Sequence, residues 1–259
     1  MADRLTRPVP LADAEYLAHG AERPGDLPSS GWRPIRLPRA IESLRPDHPV
    51  EIVWYRGPYA PPPGAAGTEP WLAFQGVSYA AEFFVDGARV GAHEGAWDAF
   101  RVGPLPAQGR FLYVRVRKGG TPPYPRHETL LGVYPYILCI FSGIWRAAAW
   151  ERLPPVFVAA AALVPDRSGG ARSGGARIHA WVRGEAEEVW GEVRSGETVL
   201  ARVRLAPGEG DMGGAHPLTA SADHCGIAGA RVPAAWSAAV DPAGWPAWGG
   251  IPRRSPRSR

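Results

Sequence analysis

Apolar and polar residues alternate in short stretches along much of this chain, and turn-forming residues separate the stretches. The clearest example is FLYVRVR, residues 111–117, where every second residue is apolar. A period of two is typical of a half-buried strand in an antiparallel sheet. The pattern predicts two opposite faces, one apolar and one polar: Leu112, Val114 and Val116 against Tyr113, Arg115 and Arg117.

Other stretches predict further strands around this one. EIVWYR, from Glu51 to Arg56, and WLAFQ, from Trp71 to Gln75, both have strand composition. In AEFFVDGARVG the dipeptide Asp86-Gly87 predicts a two-residue hairpin turn, since both residue types tolerate the positive φ that such a turn requires. The first 50 residues are polar and rich in proline, and we expect at most a short helix near Leu11 to Ala18.

A second group of stretches has the short spacing of a sandwich: VFVAAAALV, RIHAWVRG, VWGEVR and TVLARVRL. SGGARSGG between two of them predicts a flexible loop. After residue 208 the alternation ends. We therefore divide the chain into an irregular segment (1–49), a first β-domain (50–152), a second, partial one (153–208) and an irregular, disordered tail (209–259).

Composition and charge exclude several classes of protein. The 32 glycines and 29 prolines suit short strands better than long helices. The formal charge is +4, but four arginines lie within Arg253–Arg259, so 25 basic and 25 acidic residues remain elsewhere. We expect no nucleic-acid partner, because that requires a basic face on a folded domain. Without a signal-peptide or membrane-span pattern, we expect no membrane partner and a cytoplasmic protein.

Three segments, in order, carry a resemblance to a known family. They are VWYRGPY from Val53 to Tyr59, LAFQGVSYAAEFFVDGARVGAHEGAWDAF from Leu72 to Phe100, and FSGIWRAAAWERLP from Phe141 to Pro154. Together they resemble the N-terminal, non-catalytic part of family 2 glycoside hydrolases, the β-galactosidase, β-glucuronidase and β-mannosidase type. The resemblance implies a jelly-roll, galactose-binding-like β-sandwich followed by an immunoglobulin-like β-sandwich, here incomplete.

In the family these domains precede a (β/α)8 barrel that carries two catalytic glutamates. A barrel takes about 250 residues, and this sequence contains no Asn-Glu dipeptide, the family's signature of the general acid/base. No catalytic residue can be carried over, and we expect the chain itself to be inactive. Two explanations stay open: a truncated or frameshifted product of such an enzyme, which we favour, or an intact small protein with a disordered tail.

The loop after the hairpin contains the candidate carbohydrate-binding residues, His93, Glu94, Trp97 and Asp98. An aromatic face can pack on the apolar face of a pyranose, and carboxylates can accept hydrogen bonds from its hydroxyls. In the family this loop lies towards the mouth of the active site, which implies sugar contact rather than catalysis. The alternative is that Glu94 and Asp98 only bond the backbone and that Trp97 is part of the core.

The first and third segments provide residues to which we assign a structural role: Trp54, Tyr55, Arg56, Gly143, Ile144, Trp145 and Arg146. We expect the two arginines to be ties within the sandwich and between the domains, since a buried guanidinium needs carboxylates or carbonyls. Histidine spacing predicts no metal, and no cofactor motif occurs. Carbohydrate, a chain carrying a catalytic barrel, and a second copy of this chain are the partners that we consider.

Overall fold

The computed structural model describes residues 9–11, 13–41, 51–118, 142–165, 176–195, 197–208 and 234–240. The chain divides into two compact units. The described residues up to Pro155 belong to the first, and those from Val156 belong to the second. Apart from one short 3-10 helix, Pro24–Asp26, the regular elements in these ranges are β-strands. The prediction of an all-β protein is therefore confirmed.

The first unit is formed by short strands, each two to seven residues long. In chain order they are β1 Val9–Pro10, β2 Asp13–Ala18, β3 Arg33–Arg36, β4 Ile52–Pro58, β5 Glu69–Phe74, β6 Val77–Ser78, β7 Ala80–Val85, β8 Ala88–Glu94, β9 Phe100–Val102, β10 Phe111–Arg117, β11 Gly143–Ile144 and β12 Ala148–Leu153.

These strands form two facing antiparallel sheets. Within the described residues, one sheet has the order β3-β2-β4-β10-β7-β8 and the other β1-β12-β5-β9, with β6 and β11 as a short separate pair. Aromatic rings meet between the sheets: Phe74 of β5 lies 5.0 Å from Phe83 of β7, measured between ring centroids. The core of the unit therefore lies between the two sheets, as in a β-sandwich.

The hairpin and the alternating strand follow the sequence pattern. Asp86 and Gly87 have φ values of 48° and 88° and connect β7 to β8, as a turn with two positive φ angles does. On β10, Leu112, Val114 and Val116 are buried in the core. Both local predictions are confirmed, since each depends on residues that are adjacent in the sequence.

The N-terminal segment differs from the sequence prediction. Residues 13–18 are not helical; they form β2, which pairs with β3 on one side and β4 on the other. Tyr16 enters the core, and β3 buries Ile35. The prediction of a short helix and of an irregular segment over 1–49 is thus wrong for these strands. Sheet pairing overrides the weak local preference of DAEYLA.

The second unit contains five described strands: β13 Phe157–Pro165, β14 Ala176–Arg183, β15 Val189–Ser195, β16 Thr198–Gly208 and β17 Ala234–Val240. All pairings are antiparallel, in the order β13-β14-β17-β16-β15. Ile178 and Val182 of β14 form a small core with Val189 of β15 and Leu205 of β16.

Strand β17 lies in the stretch that the sequence pattern predicts as an irregular tail, residues 209–259. This prediction is wrong for Ala234–Val240, which pairs with β14 on one side and β16 on the other. AAWSAAV does not alternate between apolar and polar residues, so it gives no strand signal of that kind. The rest of the predicted tail lies outside the described residues.

Candidate functional site

The loop at residues 95–99 joins β8 of the six-stranded sheet to β9 of the four-stranded sheet. Two hydrogen bonds to the main chain position it. The Gly95 amide donates to the Tyr79 carbonyl (3.1 Å), and the indole Nε1 of Trp145 donates to the Ala96 carbonyl (2.9 Å). The third sequence segment therefore supports the loop of the second.

Trp97 is the surface feature of this loop. Its ring meets that of Trp145 edge to face, with centroids 4.9 Å apart and planes at 83°, and its exposed fraction is 38%. On the Trp145 ring, the Arg146 guanidinium carbon lies 4.5 Å from the centroid. An exposed indole held edge to face against a second indole has a fixed orientation, because aromatic pairs prefer this geometry; we call it the Trp97 platform. Asp98 is exposed beside it.

His93 lies inside the sandwich. Its exposed fraction is 3%, and its ring is stacked on Phe100 at 3.6 Å between centroids. Burial lowers the pKa of His93 from 6.5 to about 4, because the charged imidazolium loses its hydration there. His93 is therefore the most buried of the four candidate residues, although it is among the residues that line the polar cavity beside Glu94.

Glu94 projects from the outer face of the sheet. The Tyr79 hydroxyl donates to its Oε1 (3.2 Å), and Glu94 lines a polar cavity of about 290 Å³. The other charged residues around that cavity are Glu22, Glu82, Arg89, Arg115 and Arg117. Glu94 thus lies among charged side chains, whereas Trp97 packs against another aromatic ring.

A network of ion pairs lines this cavity, and the sequence did not predict it. Arg115, with an exposed fraction of 8%, pairs with Glu82 and Glu22. Arg117 Nη2 lies 3.0 Å from Glu22 Oε1, and Arg89 Nε lies 2.9 Å from Glu82 Oε1. The network connects the N-terminal segment to the sheet. Alternation alone assigns Arg115 to the polar face of β10 and cannot show that Glu22 covers it.

The first and third sequence segments meet in the core. The Ile144 amide donates to the Tyr55 hydroxyl (3.3 Å), although the two residues are 89 positions apart. Gly143 has φ +98°, and a Cβ added there would overlap Tyr55 Oη. Only glycine fits this close approach at that φ. Tyr55 thus lies in close contact with Gly143 and Ile144 in the core of the first unit.

The tryptophans and arginines of these segments differ in their surroundings. Trp54 is fully buried and donates from Nε1 to the Ala21 carbonyl (3.1 Å), whereas Trp145 is only half-buried. Arg56 Nε lies 2.7 Å from Glu15 Oε2, so Arg56 ties β4 to β2 within the first unit. Arg146 is exposed above Trp145.

Within the described residues, no group of three or more His, Cys, Asp or Glu side chains is arranged to hold a metal ion. No helical segment in the same ranges has the length and apolarity needed to cross a membrane.

No protein-family model and no curated protein matches the chain, but its fold is similar to that of solved glycosidases. Apo β-glucuronidase 3 of Bacteroides uniformis is 14% identical with a TM-score of 0.56, over 92% of this chain and 30% of its own. Bifidobacterium dentium β-glucuronidase, complexed with coumarin-3-O-glucuronide, is 17% identical with a TM-score of 0.56, over 93% of this chain and 42% of its own. A GH2 β-galacturonidase from Eisenbergiella tayi is 20% identical with a TM-score of 0.54, over 78% and 34%.

These similarities define the fold as one that family 2 glycosidases contain. At 14–20% identity they extend to the fold and not to the chemistry. The chain spans 30–42% of the length of these three enzymes. The resemblance read from the three sequence segments is therefore supported at the level of the fold.

Proposed function

We propose that this chain is the non-catalytic β-sandwich part of a family 2 glycoside hydrolase and has no glycosidase activity by itself. The similarity in fold to glycosidases carries the proposal: it covers 92–93% of this chain in two of them but at most 42% of theirs. The contact between Tyr55 and Ile144 supports it independently, because it joins two of the segments that resemble the family.

The parental reaction in this proposal is retaining hydrolysis of a terminal β-glycoside. Two of the solved neighbours are β-glucuronidases and one is a β-galacturonidase, so we favour a uronide over a neutral glycoside. Retaining hydrolysis uses two carboxyl groups about 5–5.5 Å apart, on either side of the scissile bond. Glu94 hydrogen bonds to Tyr79 on the outer face of a sheet, and we assign it no catalytic role.

The first experiment incubates the purified chain with aryl β-glucuronides, β-galacturonides, β-galactosides and β-mannosides. We expect no turnover above a buffer control. Glu94→Gln and Asp98→Asn are the matched variants, since they keep shape while removing charge. A robust rate in the unmodified chain that disappears in Glu94→Gln would contradict the proposal.

A second candidate function is carbohydrate binding by the isolated chain, which the Trp97 platform favours. Trp97 is 38% exposed, Trp145 fixes its orientation, and Asp98 supplies an adjacent acceptor. In this reading the chain binds a pyranose through its apolar face, without hydrolysis.

Calorimetric titration with methyl glycosides distinguishes this function from the first. Saturable binding that Trp97→Ala abolishes supports it, provided that Trp190→Ala, an exposed tryptophan of the second unit, has no effect. A flat titration up to millimolar sugar counts against it. Co-purification with a chain that carries a catalytic barrel would instead indicate a purely structural domain that docks on that partner.

A further inference from the structure

Strand β13 forms one end of the described sheet of the second unit, and its sequence lacks the charged residues that protect many sheet edges. Within the described residues it pairs with β14 alone. Its nine residues, FVAAAALVP, contain no charged or polar side chain. At the opposite end of the same sheet, β15 carries Glu192 and Arg194, as exposed edges commonly do to prevent pairing with another chain.

One face of β13 continues the apolar core but is open to solvent. Val158, Ala161 and Leu163 lie opposite Val182, Ala180 and Ile178 of β14, and those three partners are buried. By contrast, Val158 is 52% and Leu163 is 44% exposed. The apolar face of this sheet therefore continues from the buried residues of β14 onto β13, where the side chains are exposed to solvent. Its two largest exposed residues lie near the two ends of β13.

The sequence of β13 reads nearly the same in both directions. A β-bulge in the strand allows two copies of it to pair about a two-fold axis. Register to β14 shifts between Val158 and Ala160, so Ala159 is the extra residue of a β-bulge. A symmetric antiparallel pair needs opposed residues to direct their backbone groups the same way. Counting across the bulge, an axis at Ala161 places Val158 of one copy opposite Leu163 of the other, with compatible backbone directions.

We propose that β13 pairs with β13 of a second copy of this chain, antiparallel and about a two-fold axis at Ala161. The occupant is a second copy because the strand complements itself: each exposed large residue meets the other, and four alanines occupy the centre without charge or bulk. A single strand pair buries less than the area of about 1,200 Å² that stable interfaces reach. The dimer is therefore reversible and forms as concentration rises.

The first test is sedimentation equilibrium of the full chain over about a hundred-fold range of concentration, because mass action makes such a dimer concentration-dependent. We expect the mean mass to rise from that of one chain, 27.8 kDa, towards twice that value. Val158→Lys should hold it at one chain. Val199→Lys, at a position 45% exposed on β16, is the matched control and should dimerise like the unmodified chain.

The second test fixes the register. At the axis two Ala161 Cα atoms lie about 4.5–5.5 Å apart, within the range of a disulfide. Two Leu163 residues would lie about 13 Å apart, four residue steps along the strand. Ala161→Cys should therefore cross-link under mild oxidation, and Leu163→Cys should not, each relative to the background of the native cysteines. A monomer at every concentration, or equal cross-linking of both variants, overturns the proposal.

Discussion

Histidine burial in the first unit should make the stability of this protein depend on pH. The pKa of His93 is lowered from 6.5 to about 4, chiefly by burial of the ring against Phe100. In the unfolded chain the ring regains water and its ordinary pKa. Between the two values the unfolded state binds a proton that the folded state does not. Stability therefore falls as the pH falls through 6.5, and the loss levels off below pH 4.

The magnitude follows from the shift. A difference of about 2.5 units, at 1.36 kcal/mol per unit, gives a ceiling of about 3 kcal/mol below pH 4. At about pH 5 most of the unfolded histidine is charged while the folded histidine is neutral, so about 2 kcal/mol is already lost relative to pH 7.5. That is a large part of the 5–15 kcal/mol by which domains are typically stable, roughly speaking.

The perturbation that isolates this effect is His93→Leu, which replaces the titratable imidazole against Phe100 with an apolar side chain of similar size. Urea unfolding at about pH 7.5, 6 and 5 measures the free energy of unfolding, above the range where most carboxylates titrate. Hydrogen exchange of peptides from β7 to β9 locates the change. We expect the variant to lose about 2 kcal/mol less than the unmodified chain between pH 7.5 and 5.

Phe111→Leu is the matched control, because Phe111 is an exposed ring of the same unit and carries no titratable group. It should leave the pH dependence unchanged. If His93→Leu loses as much stability between pH 7.5 and 5 as the unmodified chain, His93 does not fold as a buried neutral ring and the reasoning fails.

Further predictions concern the contacts that hold the sandwich together. Gly143→Ala should lower the free energy of unfolding by about 3 kcal/mol or more, from backbone strain plus overlap with Tyr55. Gly87→Ala, with φ +88° but open space, should lower it by about 1–3 kcal/mol. Urea unfolding compares the two variants, and equal losses would refute the overlap. Tyr55→Phe should cost about 1 kcal/mol by the same assay. Arg115→Met should destabilise by about 2 kcal/mol, since it removes a buried guanidinium that pairs with both Glu82 and Glu22. Arg89→Met should cost under about 1 kcal/mol, because Glu82 then keeps its pair with Arg115. Similar losses in both variants would contradict the network.

The features that the sequence determined by itself are local. The Asp86-Gly87 turn depends on the φ tolerance of two adjacent residues, and the buried row Leu112, Val114 and Val116 depends on the two-residue period of a strand. The family resemblance is also readable from sequence, since three segments in order gave an all-β expectation that the structure confirms. The sequence also places Trp97 in the loop after the hairpin, but it does not determine how exposed the side chain is.

Only the tertiary structure decided which of these residues are buried and what they contact. Arg115 reads as an exposed arginine until Glu22, 93 positions earlier, pairs with it, and the 89 positions between Tyr55 and Ile144 hide their contact. The sequence suggests that His93 contacts sugar from a surface loop, yet its ring is buried against Phe100. Burial and charge pairing arise between strands distant in the chain, and no local period of hydrophobicity records which distant residues will meet.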